Sequence, residues 1–258
     1  MSGHMSEHMK TSTPLEGRVA LVTGAGGTMG RAVVDALRAD GCRVAMIDLS
    51  LASMESLAAR HGDAVLAVAC DISKAESVRA AHAQVRERFG EVDILVNNAG
   101  VLSNNKIEAT SIDEWHRVLG ANLDGAMLWS QAVVPAMKAR RWGRIINTSS
   151  LAAKTGGLTA GTAYSVSKGA MSALTFSLAR ELAAHGVTAN AIAPAYVRTP
   201  MVTEQLNEAQ RQALLQQIPV GRFCEPEEFA HAVRFLASPL SGFITGEVLD
   251  QNGGLLMD

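Results

Sequence analysis

The chain has 258 residues, 48% of them hydrophobic, with 23 basic and 25 acidic side chains and a formal net charge of −2. That is enough apolar material for a large buried core, and the balanced charge gives no reason to expect nucleic acid or an anionic membrane as a partner. No apolar run approaches the roughly 20 residues that span a bilayer, and Cys42, Cys70 and Cys224 are far apart without a Cys-x-x-Cys pair, which points to reduced thiols in a cytoplasmic protein and to no metal.

Residues 1–14 are polar, lack the apolar core of a signal peptide and open with Met-Ser-Gly-His-Met, which resembles an expression-tag remnant; they are expected to form a disordered tail. Residues 15–258 are expected to form a single domain in which short apolar runs alternate with stretches of helical period. Val19 to Val22 reads as the first strand, followed by the glycine-rich turn Thr23 to Gly30 and a helix over about 29–40, with Gly41 at its end. Val44 to Ile47 is the second strand, closed by Asp48, and a helix over about 51–61 follows. Val65 to Val68 leads to Asp71 and a helix over 74–89; Ile94 to Val96 leads to Asn97-Asn98-Ala99-Gly100 and one long helix over 112–140. Ile145-Ile146 precedes Ser149-Ser150 and a helix over 162–185, with Gly186 at its end. Ala189 to Ile192 precedes Pro194 and a polar stretch over about 196–220, with a helix near 204–217, that reads as a small lid. Pro226 opens a helix to 237, and Val248-Leu249 is the last strand.

This alternation implies right-handed crossovers and an α/β fold, a single doubly wound parallel sheet of the Rossmann type with helices on both faces. Ligands bind such sheets beyond the carboxyl ends of the strands, and each polar motif follows a strand run. A glycine-rich turn running from the first strand into a helix lets the backbone approach a pyrophosphate, and the helix N-terminus supplies free N–H groups. Asp48 closes the second strand 24 residues after Gly24, where a carboxylate accepts from both ribose hydroxyls of an adenosine and repels a 2′-phosphate. Turn and carboxylate together favour NAD over NADP. Asp71 has the spacing either to reach the adenine or to start the next helix.

From Gly17 onward the sequence resembles the short-chain dehydrogenase/reductase family. Thr23, Gly24, Thr28 and Gly30 match its Thr-Gly-x-x-x-Gly-x-Gly turn, and Asn97 to Gly100 its Asn-Asn-Ala-Gly element. Asn122 in Gly-Ala-Asn-Leu matches its active-site asparagine, Ser150 its serine, and Tyr164 to Lys168 its Tyr-x-x-x-Lys, while Pro194 and Thr199 resemble the segment that clasps the carboxamide. Thr28 stands where the family has its middle glycine, Ala195 replaces the glycine after Pro194, and Ser150 precedes Tyr164 by 14 residues, one more than expected.

The resemblance implies an oxidoreductase that moves a hydride between NAD(H) and a secondary alcohol or ketone, with Asn122, Ser150, Tyr164 and Lys168 as its catalytic residues. It implies cofactor contacts from Gly24, Thr28, Met29, Gly30, Asp48, Asp71, Ile72, Asn98, Ala99, Gly100, Tyr164, Lys168, Pro194, Val197 and Thr199. It also implies a homotetramer built on the helices over 112–140 and 162–185 and the C-terminal segment.

Tyr164 and Lys168 are four apart on one helix face, where an ammonium would draw the phenol below its usual pKa and make it a general acid/base. Ser150 would hold the substrate oxygen, since no histidine is placed to make it a nucleophile, and Asn122 would hold a water linking Lys168 to solvent. Polyols, 3-oxoacyl thioesters, sugars and cyclic alcohols all remain as substrates. A 3-oxoacyl-thioester reductase is the alternative within the enzyme reading, although such enzymes commonly favour NADP and Asp48 argues against that. Outside this reading stand a non-catalytic NAD-sensing protein and a nucleotide-sugar epimerase; the latter usually needs an added substrate domain, and about 60 residues follow Thr199.

Overall fold

A computed structural model describes residues 14–200 and 207–257. The expected tail up to Thr13 and the Met201 to Leu206 part of the expected lid lie outside the described residues. The strands are β1 (Val19–Thr23), β2 (Arg43–Asp48), β3 (Val65–Ala69), β4 (Ile94–Asn97), β5 (Gly143–Thr148), β6 (Val187–Pro194) and β7 (Val248–Gln251). All pair in parallel, in the order β3-β2-β1-β4-β5-β6-β7.

Every residue of β1 and β6 is buried, which is why these strands read as continuous apolar runs and not as alternating ones. Successive side chains still diverge. Ala20 and Val22 enter one core with Val33 and Leu37 of α1 (Thr28–Ala39) and with Phe229 and Leu236 of the last helix. Val19 and Leu21 enter the opposite core with Val85, Trp129, Met137 and Leu178. The sheet is therefore sandwiched, and its strand order reverses between β1 and β4, opening a crevice at their carboxyl ends.

Beyond α1, the helices are α2 (Glu55–His61), α3 (Ala75–Phe89), α4 (Ile112–Leu119), α5 (Gly125–Arg140), α6 (Ala152–Thr155), α7 (Thr162–Leu182), α8 (Glu208–Gln217) and α9 (Pro226–Ala237). The single helix expected over 112–140 is divided by a π-helical turn, Gly120–Asp124, that carries Asn122. Gly125, which follows the turn, packs against the loop after β3, where a Cβ would come within 2.6 Å of the Ile72 side chain. α6 is one extra turn directly after Ser150 that no periodicity announced. α7 gives way to a 3₁₀ turn, Ala183–His185, and then to Gly186 at φ +72°.

Candidate active site

The crevice at the strand reversal is a cleft of about 490 Å³. Every residue expected to contact the cofactor lines it: Gly24, Thr28, Met29 and Gly30 of the glycine turn, Asp48 at the end of β2, Asp71 and Ile72 after β3, Asn98 to Gly100 after β4, Tyr164 and Lys168 on α7, Pro194 at the end of β6, and Val197 and Thr199 beyond it. These positions span the chain, and the sheet order brings them to one edge.

Thr23 and Asn98 lock the two central strand ends together. The Thr23 hydroxyl accepts from the N–H groups of Asn98 and Ala99 at 3.0 Å, and Asn98 Nδ2 donates to the Thr23 carbonyl at 2.9 Å. The glycine turn is thereby fixed close to the loop after β4. Gly27 caps α1 with extended backbone and no side-chain cap, so no side chain of the cap competes for the first-turn N–H groups. Gly30 must lack a side chain, since a Cβ would lie 2.8 Å from Ala25 Cα and closer still to the Gly24 carbonyl. Gly30→Ala should therefore cost about 1–3 kcal/mol of stability through overpacking and weaken dinucleotide binding. Thermal melting with and without NAD checks this, and wild-type melting with an unchanged NAD-induced rise would contradict the close approach.

Asp48 stands half-buried at the tip of β2. Its Oδ2 accepts from the Gly26 N–H at 2.9 Å and its Oδ1 from the Leu49 N–H at 2.8 Å, so both oxygens are oriented. Asp71 lines the same end, but its Oδ1 accepts from the Ser73 N–H and hydroxyl, at 3.0 and 2.7 Å, shaping the approach to α3. Between the two readings weighed for Asp71, its hydrogen bonds are those of the loop.

At the other end, Tyr164 on α7 stands close enough to Ser150 for the serine hydroxyl to act on the phenol, favouring its ionised form. Ser150 Oγ also accepts from the Ala152 N–H at 3.1 Å, so the turn of α6 orients the hydroxyl. Lys168 is buried, and its Nζ donates to the Thr148 carbonyl at 2.7 Å while lying 5.7 Å from the centre of the Tyr164 ring. Asn122 is buried behind Gly100. Its Oδ1 accepts from the Val101 N–H at 2.7 Å, and its Nδ2 donates to the Val101 carbonyl at 3.1 Å and to Ser167 Oγ at 3.0 Å. These bonds brace the loop after β4 against α7.

The electrostatics differ from the expectation. Burial raises the Tyr164 phenol above the usual tyrosine value, with the Ser150 hydroxyl pulling the other way, and burial lowers Lys168 to about 8. Desolvation is the dominant cause for both groups, and the Lys168 ammonium donates to the Thr148 carbonyl. The protein alone thus holds a neutral phenol, the form that donates a proton.

The residues that sequence reasoning missed are supports. Thr148 anchors Lys168, Ser167 anchors Asn122, and Leu102, Ala121 and Pro200 line the cleft. Adjacency to a motif was their only sequence signal.

The donor set and shape fit a dinucleotide. A side-chain-free turn meets a helix start, a carboxylate stands where a ribose would lie, and the acid/base pair stands at the far end of one cleft. No helix among the described residues is long and apolar enough to cross a membrane.

A family model described as enoyl-(acyl carrier protein) reductase matches residues 24–256. The chain is 41% identical over 244 residues to the 3-oxoacyl-(acyl-carrier-protein) reductase of Vibrio cholerae serotype O1, covering 94% of this chain and 99% of that one. It is 37% identical over 243 residues to the enzyme of the same name from Escherichia coli K12, covering 94% and 98%. Among solved structures, a short-chain dehydrogenase/reductase from Brucella melitensis described as glucose/ribitol dehydrogenase superposes with a TM-score of 0.89 at 32% identity, covering 96% and 100%.

Proposed function

The chain belongs to the short-chain dehydrogenase/reductase family, in the group that the enoyl-(acyl carrier protein) reductase model describes, and from that membership we propose that it interconverts a ketone and a secondary alcohol with NAD(H), the ketone being that of a 3-oxoacyl thioester. As a member it is an oxidoreductase acting on CH–OH groups. The observation that carries the reading is the placement of Tyr164 and Lys168 one turn apart on α7 at the end of the cleft, with the Ser150 hydroxyl acting on the phenol. The names of the relatives support the thioester.

When bound, the nicotinamide supplies the hydride in reduction and takes it in oxidation. Ser150 and Tyr164 together bind the substrate oxygen. In reduction the phenolic proton of Tyr164 passes to that oxygen as it becomes the hydroxyl, and in oxidation the same oxygen returns it. Lys168 stabilises the phenolate that reduction leaves behind, and Asn122 keeps the loop after β4 seated against α7. The glycine-turn N–H groups would hold the pyrophosphate. A panel of secondary alcohols, ketones and 3-oxoacyl thioesters, read by nicotinamide absorbance, tests the reading; no turnover of any member with either nicotinamide would reject it.

Asp48 supports NAD over NADP, since its fixed carboxylate faces the end of the cleft where the adenosine ribose would lie and would repel a 2′-phosphate. Asp48→Ala should lower the NAD/NADP ratio of kcat/KM by about tenfold or more, roughly the effect of one lost charge contact. An unchanged ratio would remove Asp48 from this part.

We further place the protein in the cytoplasm as a homotetramer. Three free cysteines, two of them buried, support the first. Half-exposed Met127, Val166 and Phe176 on α5 and α7, and exposed Leu240 and Phe243 ahead of β7, support apolar contact between copies.

A further inference from the structure

Beside Ser150 the cleft adjoins a small recess of about 40 Å³, walled by Leu151, Ala152, Leu158, Ala160, Ala195 and Tyr196. Ala195 belongs to both cavities. Leu151 and Ala152 follow Ser150 directly in the chain, and Ala195 joins the recess to the cleft that holds Tyr164, so the recess is within reach of one substituent of a ketone bound there. A water-sized group needs about 10–15 Å³ of such space, so the recess takes roughly three carbons.

Its outer wall, Gly157 to Ala160, is a turn with no secondary structure of its own. Lys106, an exposed residue on the loop after β4, fixes it. Its Nζ donates to the Gly157 carbonyl at 2.9 Å and the Ala160 carbonyl at 2.6 Å, and it enters no ion pair among the described residues. The loop it reaches from is itself held. Glu114 accepts from Ser103 and from Asn105 Nδ2, and Asn122 holds Val101. Backbone bonds complete the junction, from the Gly161 N–H to the Ser103 carbonyl at 2.7 Å and from the Thr162 N–H to the Asn105 carbonyl at 3.0 Å. Thr159 meets the Tyr196 hydroxyl at 3.5 Å across the recess mouth.

We propose that Lys106 is a specificity-determining residue: by pinning the Gly157–Ala160 turn it sets the depth of the recess and restricts the substrate to a carbonyl bearing an aliphatic group of about three carbons or fewer. This rests on the ketone-reductase reading above. One methylene more or less in an apolar pocket changes selectivity about 10–200-fold.

The test uses N-acetylcysteamine thioesters of 3-oxobutanoate, 3-oxohexanoate and 3-oxooctanoate, with kcat and KM measured separately for each. In the wild-type protein kcat/KM should fall at least about tenfold from the hexanoyl to the octanoyl compound. Lys106→Met, which keeps the stem and loses both bonds, should narrow that ratio several-fold, chiefly through KM, while the Kd for NAD stays unchanged; Lys106→Arg should restore much of it. Leu158→Ala, at a largely exposed wall position, gives an independent reading and should raise octanoyl turnover. Wild-type turnover that is flat across the series overturns the recess as a subsite. A graded wild-type profile that persists in Lys106→Met overturns the assignment to Lys106. No turnover of any thioester overturns the underlying reading as well.

Discussion

Tyr164→Phe is expected to abolish turnover while leaving dinucleotide binding nearly intact. The phenolic oxygen stands neutral at the end of the cleft, within the influence of a second substrate-binding hydroxyl, that of Ser150. The ring makes the wall and the oxygen makes the chemistry, so phenylalanine keeps the first and removes the second. General acid/base contributions run to about 10²–10⁴-fold, and the loss in kcat should reach the upper part of that range. Calorimetric or fluorescence titration with NADH should give a Kd close to the wild-type value. Residual kcat within tenfold of wild type would assign proton transfer to another group.

Lys168→Met should lower turnover by about 10²-fold or more and, unlike the tyrosine variant, change how stability depends on pH. Lys168 is buried, and its pKa falls from 10.5 to about 8. Below pH 8 the residue is charged in both folded and unfolded chains, so the full cost of burying the charge opposes folding. As pH rises through 8 the folded chain releases the proton while the unfolded chain holds it until about 10.5, and the cost disappears. The wild-type protein should thus gain up to ~3 kcal/mol relative to the methionine variant between pH 7 and 10. Melting temperatures of the two proteins without cofactor, taken at both ends of that window, should converge. A constant gap would mean that the lysine titrates normally and that its burial is compensated elsewhere.

Much of this architecture was legible because a parallel sheet covered on both faces demands continuous apolar runs. The runs at Val19, Val44, Val65 and Ile94 mark strands that begin within a residue of those positions. Glycines and carboxylates directly after the runs pointed to one edge, and that inference rests on strand polarity alone. The π turn at Gly120–Asp124 was not legible, because a one-residue widening leaves the apolar period of a helix almost unchanged. α6 was missed because a single turn has no period. The expected lowering of the Tyr164 phenol reversed because desolvation dominates both groups; four-residue spacing puts a lysine on the same face but does not say where its ammonium points, and the Thr148 carbonyl takes it.

The sequence by itself determined the fold class, the order of motifs along the crevice and the residue types available for proton transfer, since these follow from periodicity and from what must stand after each strand. Only the tertiary structure decided the partners: which carbonyl holds Lys168, which loop Asn122 braces, how burial sets the two pKa values, and how Lys106 joins two loops around a small recess. Hydrogen-bond partners and desolvation are properties of distance in space, and distance in sequence carries them only within one helical turn or one strand pair.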